Sequence, residues 1–412
     1  MVDETSSTRY AYAEVLESAR RFVALKEEWE SLYHNSPVAT PFQSWAWLYS
    51  WWESYGADYD LRLVTVRNDE GLLVGILPFM TQFRRGFRRL LFVGTGHSDY
   101  CDVIVRAGWE DAVSEAGVHA LGRIESWHIA DLAQLRPTAA TWTILRRWGG
   151  PHLRQQQVPC PVMEVKPWDE MLASLGSRFR QDTRRVLRRA EADGIRFQQA
   201  EPADAERAAR RLVTLHREMW SERGINPEHS TQRFEAFLVA AARRMLTSGS
   251  GVIFECRRDG EVIISSLCLY AQSFLTLYLP GVSQEARQRH KWSTLNLWQV
   301  LEFCRSKNIS RLHMGQGTDP YKLRWNPKIL PTYRLILGHH RTIWVAYAAY
   351  HTLVFRYDAL RSRVKLRSRY HALRSRLKLY ARYESLPWLM RSAAREYSTL
   401  RSVISRCIKG KG

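Results

Sequence analysis

Between Tyr278 and Trp325 the chain gathers the residue types that can hold an anionic group and react beside it. Tyr278-Leu279-Pro280-Gly281 closes an apolar run, and a basic loop follows with Arg287, Arg289, His290 and Lys291. Ser293 and Thr294 then open an amphipathic segment that runs to Cys304. A helix start preceded by cations is a ready anion site, because its first N–H groups lack intrahelical partners and its dipole favours negative charge. Arg311-Leu312-His313-Met314 reads as a second strand. Gly315-Gln316-Gly317-Thr318-Asp319-Pro320-Tyr321-Lys322 follows it, with Trp325 just beyond. A strand-to-helix turn beside a polar strand end suits a phosphate-bearing cofactor. Other chemistries find less support. Gly94-Thr95-Gly96 lacks a dinucleotide-binding context. His339-His340 and His351 lack ligand spacing, so no metal is expected. Cys101, beside Asp99 and Asp102, has no histidine that the sequence places next to it.

A second group of cations precedes this segment. Residues 168–192 read as a helix carrying Arg178, Arg180, Arg184, Arg185, Arg188 and Arg189, and it ends at Asp193-Gly194. The i, i+4 pairs Arg184/Arg188 and Arg185/Arg189 put several guanidinium groups on one side. Such a face can clamp phosphate or carboxylate groups, or it can be a solvated surface with Glu191 and Asp193 as local partners.

The elements that must position these residues occur twice. Residues 63–77 form an apolar run, a polar turn at Asn68-Asp69-Glu70-Gly71 and a second apolar run. Residues 252–264 repeat that design around Asp259-Gly260, turn chemistry suited to a hairpin. Helical segments precede each hairpin (13–32 and 44–54; 203–223 and 231–247), and a further strand follows each (90–93; 274–278). The expectation is a duplicated α/β unit with a mixed, mostly antiparallel sheet. Its seam falls between residues 138 and 161, where Arg146-Arg147-Trp148-Gly149-Gly150-Pro151 breaks the pattern.

With 412 residues the chain is too long for one ordinary core, so two domains and an appendage are expected. Its 16 Trp, 18 Tyr and 14 Phe exclude a largely disordered protein. The start, Met1-Val2-Asp3-Glu4, has no basic and apolar leader, and no apolar run is long enough to span a bilayer. A cytoplasmic setting is therefore expected, with the 6 scattered cysteines reduced. Residues 339–412 hold 17 Lys+Arg against 3 Asp+Glu, so the tail carries +14 of the net +20 and the remainder is mildly basic. Within that tail Leu366, Tyr370, Leu373, Leu377 and Tyr380 form one apolar seam among arginines. Residues 341–386 are thus expected to dock on an anionic membrane surface or a protein partner. Nucleic acid is not expected, since no nucleic-acid motif accompanies the charge.

Residues 161–326 resemble the acetyltransferase domain of CelD-type cellulose-biosynthesis proteins, within the GNAT (acyl-CoA N-acyltransferase) superfamily. The resemblance is carried by Ser177-Arg178-Phe179-Arg180 through Arg188-Arg189, Leu215-His216-Arg217-Glu218-Met219-Trp220, Asp259-Gly260-Glu261, Tyr278–Gly281 and the 293–304 helix. Gly317-Thr318-Asp319-Pro320-Tyr321-Lys322-Leu323-Arg324-Trp325 is its most specific part. The two-unit layout is also similar to FemAB-type aminoacyltransferases. The resemblance implies residues 1–150 as a degenerate GNAT-like unit, 151–338 as the acetyltransferase domain and 339–412 as a basic helical tail. It implies acyl-CoA, such as acetyl-CoA, bound by its phosphates near Arg287, His290, Lys291, Ser293 and Thr294. Ser293 stands where relatives carry glycine, whose lack of a side chain lets backbone approach a pyrophosphate. For amine attack on a thioester it implies Tyr321 as donor to the leaving thiolate, Asp319 as acceptor of the amine proton and Lys322 as a cation for an anionic acceptor or the carbonyl oxygen. His216, Trp220, Arg178 and Arg185 become candidates for the acceptor pocket, the acceptor being a small molecule or saccharide of cell-envelope or exopolysaccharide synthesis. The alternatives are a FemAB-like transferase using aminoacyl-tRNA and a catalytically degenerate scaffold at a membrane-bound synthase.

Overall fold

A computed structural model describes residues 9–349, apart from 85, 125–126, 221–225, 272 and 340. The first strand, β1 (Ala11–Leu16), leads into helices α1 (Ala19–Ala24), α2 (Lys26–His34) and α3 (Trp45–Tyr55). Strands β2 (Asp60–Asn68), β3 (Leu73–Arg84), β4 (Phe87–Phe92) and β5 (Ile104–Val105) follow, then α4 (Glu110–Arg123), β6 (Ile129–Leu135), α5 (Thr141–Arg147) and β7 (His152–Gln156). Strand β8 (Cys160–Glu164) ends the first half, and the second begins with α6 (Trp168–Ala173), α7 (Ser177–Ala192), β9 (Arg196–Gln199), α8 (Ala205–Trp220) and α9 (Gln232–Thr247). It continues with β10 (Gly251–Arg258), β11 (Glu261–Ala271), β12 (Phe274–Val282), α10 (Gln284–Arg289), α11 (Trp292–Ser306) and β13 (Arg311–His313). The last elements are α12 (Pro320–Leu323), β14 (Lys328–Leu330) and β15 (Tyr333–Gly338).

Two sheets result, and their orders match. The first runs β1-β2-β3-β4-β6-β15-β7 and the second β9-β10-β11-β12-β13-β8-β14. Each has one parallel pair, β4 with β6 and β12 with β13; every other neighbour is antiparallel. A parallel pair needs a crossover, which α4 supplies in the first unit and α11 in the second. The mixed, mostly antiparallel α/β duplication expected from the two hairpins is what the chain forms. The β10–β11 turn shows the local reason: Asp259 and Gly260 both have positive φ (52° and 84°), as a tight two-residue hairpin requires.

Chain order and sheet membership part company at the unit ends. β7 stays in the first sheet while its successor β8 inserts between β13 and β14 of the second. Reciprocally, β14 stays in the second sheet while β15 inserts between β6 and β7. Each unit therefore lends the other a strand. The units also share a core: Trp47 of α3 meets Phe237 of α9 edge-on at 4.9 Å, and Arg233 of α9 donates to the carbonyls of Ser54 and Tyr55. In the second sheet, β10 alternates between Ile253, in the core with α8 and α9, and Val252 and Phe254, in the core with α11. Helices thus cover both faces.

Five cysteines, Cys101, Cys160, Cys256, Cys268 and Cys304, are free and buried, as the scattered pattern suggested. Cys407 and the apolar seam at 366–380 lie outside the described residues. Among the described residues no helix is long and apolar enough to cross a membrane.

Candidate functional site

The parallel pairing of β12 with β13 stops at Thr276 and His313. Beyond that point the strands part, and the gap is a cleft. One wall is Leu277, Tyr278, Leu279 and Pro280 of β12; the other is Met314, Gly315 and Gln316 after β13. Trp292, Ser293 and Asn296 of α11 close one side, and Tyr321, Lys322 and Trp325 the other. The cavity measures about 100 Å³. Ser266 donates to the Asn296 side-chain oxygen at 2.6 Å on the floor. The stretch from Tyr278 to Trp325 thus folds around one cavity.

Its walls carry usable chemistry. Burial, and then the nearby Asp319 carboxylate, push the Tyr321 phenol well above its ordinary pKa, so it stays protonated at neutral pH. Its ring packs on Trp292 at 5.5 Å. Lys322 is buried and donates to the carbonyl oxygens of Gln316 (2.7 Å) and Gly317 (3.3 Å). It therefore pins the loop after β13 while holding a cation at the cleft. Burial lowers its pKa, and Asp319 and Asp99 pull the other way. Asp319 stands at the N-cap position of α12, with no capping bond from its side chain, and its half-exposed carboxylate lies 3.5 Å from the ammonium.

A second, shallow groove adjoins the cleft. It is lined by Gly176, Ser177, Arg178, Phe179, Gln181, Asp182, Arg185, Arg188, Lys291 and Arg324, and spans about 1040 Å³. Lys291 and Arg324 link the two spaces, since each adjoins a cleft residue (Trp292 and Trp325). The first turns of α7 and α11 both open here, and neither has a side-chain cap, so free N–H groups and five cations face one surface.

The predicted phosphate ligands separate. Lys291 lies in the groove and Ser293 in the cleft. Arg287 instead donates to the carbonyl of Met219 at 3.2 Å, and His290 is buried with Asp193 at 3.8 Å. Thr294 is buried inside α11. The stretch read as a loop is helical: Ser283 accepts from the Ala286 N–H and starts α10, which turns Arg287 back toward α8. Of the acceptor candidates, Arg178 and Arg185 line the groove. His216 and Trp220 line neither space. The His216 ring donates from Nδ1 to the Pro280 carbonyl at 2.7 Å, so its Nε2 accepts from His229 at 3.0 Å. It braces the far side of a cleft strand. Gly281 is obligatory there, because a Cβ would meet the Leu212 oxygen at 2.6 Å and the His216 nitrogen at 2.8 Å.

One residue escaped sequence reasoning altogether. Asp99, on the loop after β4 of the first unit, is buried against the second unit's site. Thr276 donates to it at 3.4 Å, and the backbone of Gly315 and Gln316 runs beside it. No spacing signal links Asp99 to these residues. The first unit's own counterpart of α11 is α4, whose first turn carries Glu110 and Asp111. Acidic side chains suit a helix start but repel phosphate.

With this geometry the comparisons agree. Residues 177–323 match the family model described as acetyltransferase (GNAT) domain. The match covers α7 through α12, the elements that build both the cleft and the groove. A FemX structure superposes with a TM-score of 0.57 at 12% identity, covering 75% of this chain and 95% of that one. L-PGS from Bacillus licheniformis gives 0.50 at 12% identity, covering 76% and 92%. A C-terminal domain from Agrobacterium fabrum, assigned to a lysylphosphatidylglycerol synthetase, gives 0.50 at 12% identity, covering 82% and 98%. At such identities these likenesses speak for the two-unit fold alone. No curated protein matches the chain in sequence. Residues 177–323 are thus similar to a GNAT acetyltransferase domain.

Proposed function

We propose that the chain transfers an acyl group from acyl-CoA to an amine, with the thioester in the β12–β13 cleft and the donor's phosphates toward the groove of α7 and α11. The observation that carries this reading is the strand splay itself: one cavity joins a protonated phenol, a buried ammonium and a helix start, and a cation-lined surface continues from its mouth. The acceptor nitrogen attacks the carbonyl carbon while Lys322 stabilises the oxygen's developing charge. As the C–N bond forms and the C–S bond breaks, Tyr321 gives its proton to the sulfur. Asp319, at the open edge, takes the amine proton directly or through water. Ser293 has room at the cleft wall, so its hydroxyl is a donor to the donor's pantetheine or phosphate portion rather than a block.

The acceptor class, an amino sugar or similar amine of cell-envelope or exopolysaccharide synthesis, rests on the sequence resemblance. So does a position at the inner face of a membrane through residues 341–386. Calorimetry with acetyl-CoA tests the donor assignment: binding at micromolar to sub-millimolar concentration supports it, and silence at millimolar ligand overturns it. The openness of the groove and the fold likeness to FemX favour one second reading, an aminoacyl-tRNA donor. Binding of charged tRNA that persists at physiological salt would select it, because nonspecific phosphate attraction fades there.

A further inference from the structure

The reactive cleft belongs to the second unit, yet a carboxylate from the first unit sits directly behind it. Asp99 arrives on the loop that follows β4 and enters the point where β12 and β13 part. Its carboxylate accepts from the Thr276 hydroxyl (3.4 Å) and lies against the backbone of Gly315 and Gln316. A Cβ on Gly315 would lie 3.8 Å from its Oδ2, and Gly315 has φ of +70°. Thr276 ends the parallel pairing, while Gly315 and Gln316 form the cleft wall whose carbonyl at Gln316 receives the Lys322 ammonium. Asp99 therefore binds both the strand end and the loop that Lys322 binds from the opposite side.

The charges around the ammonium are few. Asp319 faces it from its own helix, Asp99 from the first unit's loop and Cys160 from β8. Burial pushes the Cys160 thiol up to about 12, so it is neutral. Tyr278 and Tyr100, which also adjoin Asp99, are held neutral by burial in the same way. Among the described residues this leaves two anions for Lys322. Asp319 has a half-exposed side chain, so solvent screens it. Asp99 is buried, and its field acts through protein.

We infer that Asp99 is a positioning residue for the second unit's site: it fixes the loop after β13 and keeps Lys322 charged, so the first unit is part of the reactive centre. The inference rests on reading the cleft as the reactive site. Burial raises the Asp99 carboxyl to about 6, so it is ionised where Lys322 must be charged, at the cost of an unfavourable buried charge. A carboxylate kept at that cost, with its partners all in another unit's cleft, fits a functional role better than a packing one.

The test reads Lys322 directly and needs no substrate. The full chain is labelled with trace acetic anhydride across pH 6 to 10.5, and mass spectrometry follows the Lys322 peptide against that of Lys328, whose side chain is exposed. In Asp99→Asn the pH midpoint for Lys322 labelling falls by about one unit, the usual effect of a close opposite charge. Labelling at pH 8 then rises about tenfold. Thr276→Val, which removes the hydroxyl but keeps the charge, leaves the midpoint where it was. A folded Asp99→Asn protein with an unmoved midpoint overturns the inference, as does an equal shift in Thr276→Val. Asp99→Ser is read the same way if the asparagine variant does not fold; if neither folds, the carboxylate is a folding element and the inference fails. Acetyl-CoA binding is measured separately, so failure of the donor assignment and failure of this inference give different results.

Discussion

Asp182 is the sole acid among the residues lining the α7–α11 groove, and removing its charge should strengthen anion binding there. Its carboxylate pairs with Lys291 and, at 2.6 Å, with Arg185, which masks two of the groove's five cations. The Lys291 contact holds its pKa below the usual aspartate value, so it is ionised throughout the neutral range. Asp182→Asn preserves shape and adds one unit of positive charge. The Arg185 and Lys291 side chains are 74% and 49% exposed, so a water-like dielectric applies. A phosphate seated between them, about 5 Å from residue 182, would escape a repulsion of about 0.8 kcal/mol per phosphate charge. That corresponds to about fourfold tighter binding per charge. Calorimetry with acetyl-CoA at about 50 mM salt should record the gain, and at about 1 M salt, where the screening length is about 3 Å, it should largely vanish. Unchanged or weaker binding by a variant of wild-type melting temperature would remove the groove as the phosphate site.

Three further outcomes follow from the same geometry. Gly281→Ala should lower stability by about 1–3 kcal/mol, since the new methyl meets α8 backbone that cannot rotate away; a denaturant midpoint measures it. Tyr321→Phe should reduce the rate of thiol release by about 100-fold with little change in KM, because only the proton to the leaving sulfur is lost; an unchanged rate would assign that proton elsewhere. Stability should fall from pH 7 to pH 5: burial holds His97 and His313 at about 4 and about 3, while their unfolded values lie near 6.5. The unfolded chain then binds more protons, costing on the order of 2 kcal/mol per histidine by pH 5, which Asp99, titrating at about 6, offsets only in part. A denaturation midpoint that rises toward pH 5 would contradict this.

What the sequence disclosed and what it hid divide along the range of the interactions involved. The Asp259-Gly260 turn, the paired helices before each hairpin and the strand–helix–strand run around the cleft were all legible, because turn chemistry and periodicity act within a few residues. The direction of Arg287 was also local: Ser283 followed by Gln284-Glu285-Ala286 is a helix start, and reading it as one turns Arg287 away from the cleft. The exchange of β8 and β15 was not legible. Each lies within a few residues of a strand that stays in the other sheet, and only nonlocal pairing decides which sheet a short strand joins. Asp99 was hidden for the same reason: its partners Thr276, Gln316 and Lys322 come from β12, the loop after β13 and α12. Its own neighbours, Ser98 and Tyr100, give no sign of them.

The first unit differs from the second at its crossover helix. Its crossover helix begins with Glu110 and Asp111, where a phosphate site needs free N–H groups and cations. It has not become dispensable. β15 from the second half completes its sheet and β8 completes the other, so neither unit can close its hydrogen bonding alone. Trp47 and Phe237 bury each other across α3 and α9. The loop after β4 cannot leave the splay of β12 and β13 without freeing the Thr276 hydroxyl. The burial of an ionised Asp99 against the cleft, destabilising as it is, argues that the loop is held by what it does for Lys322.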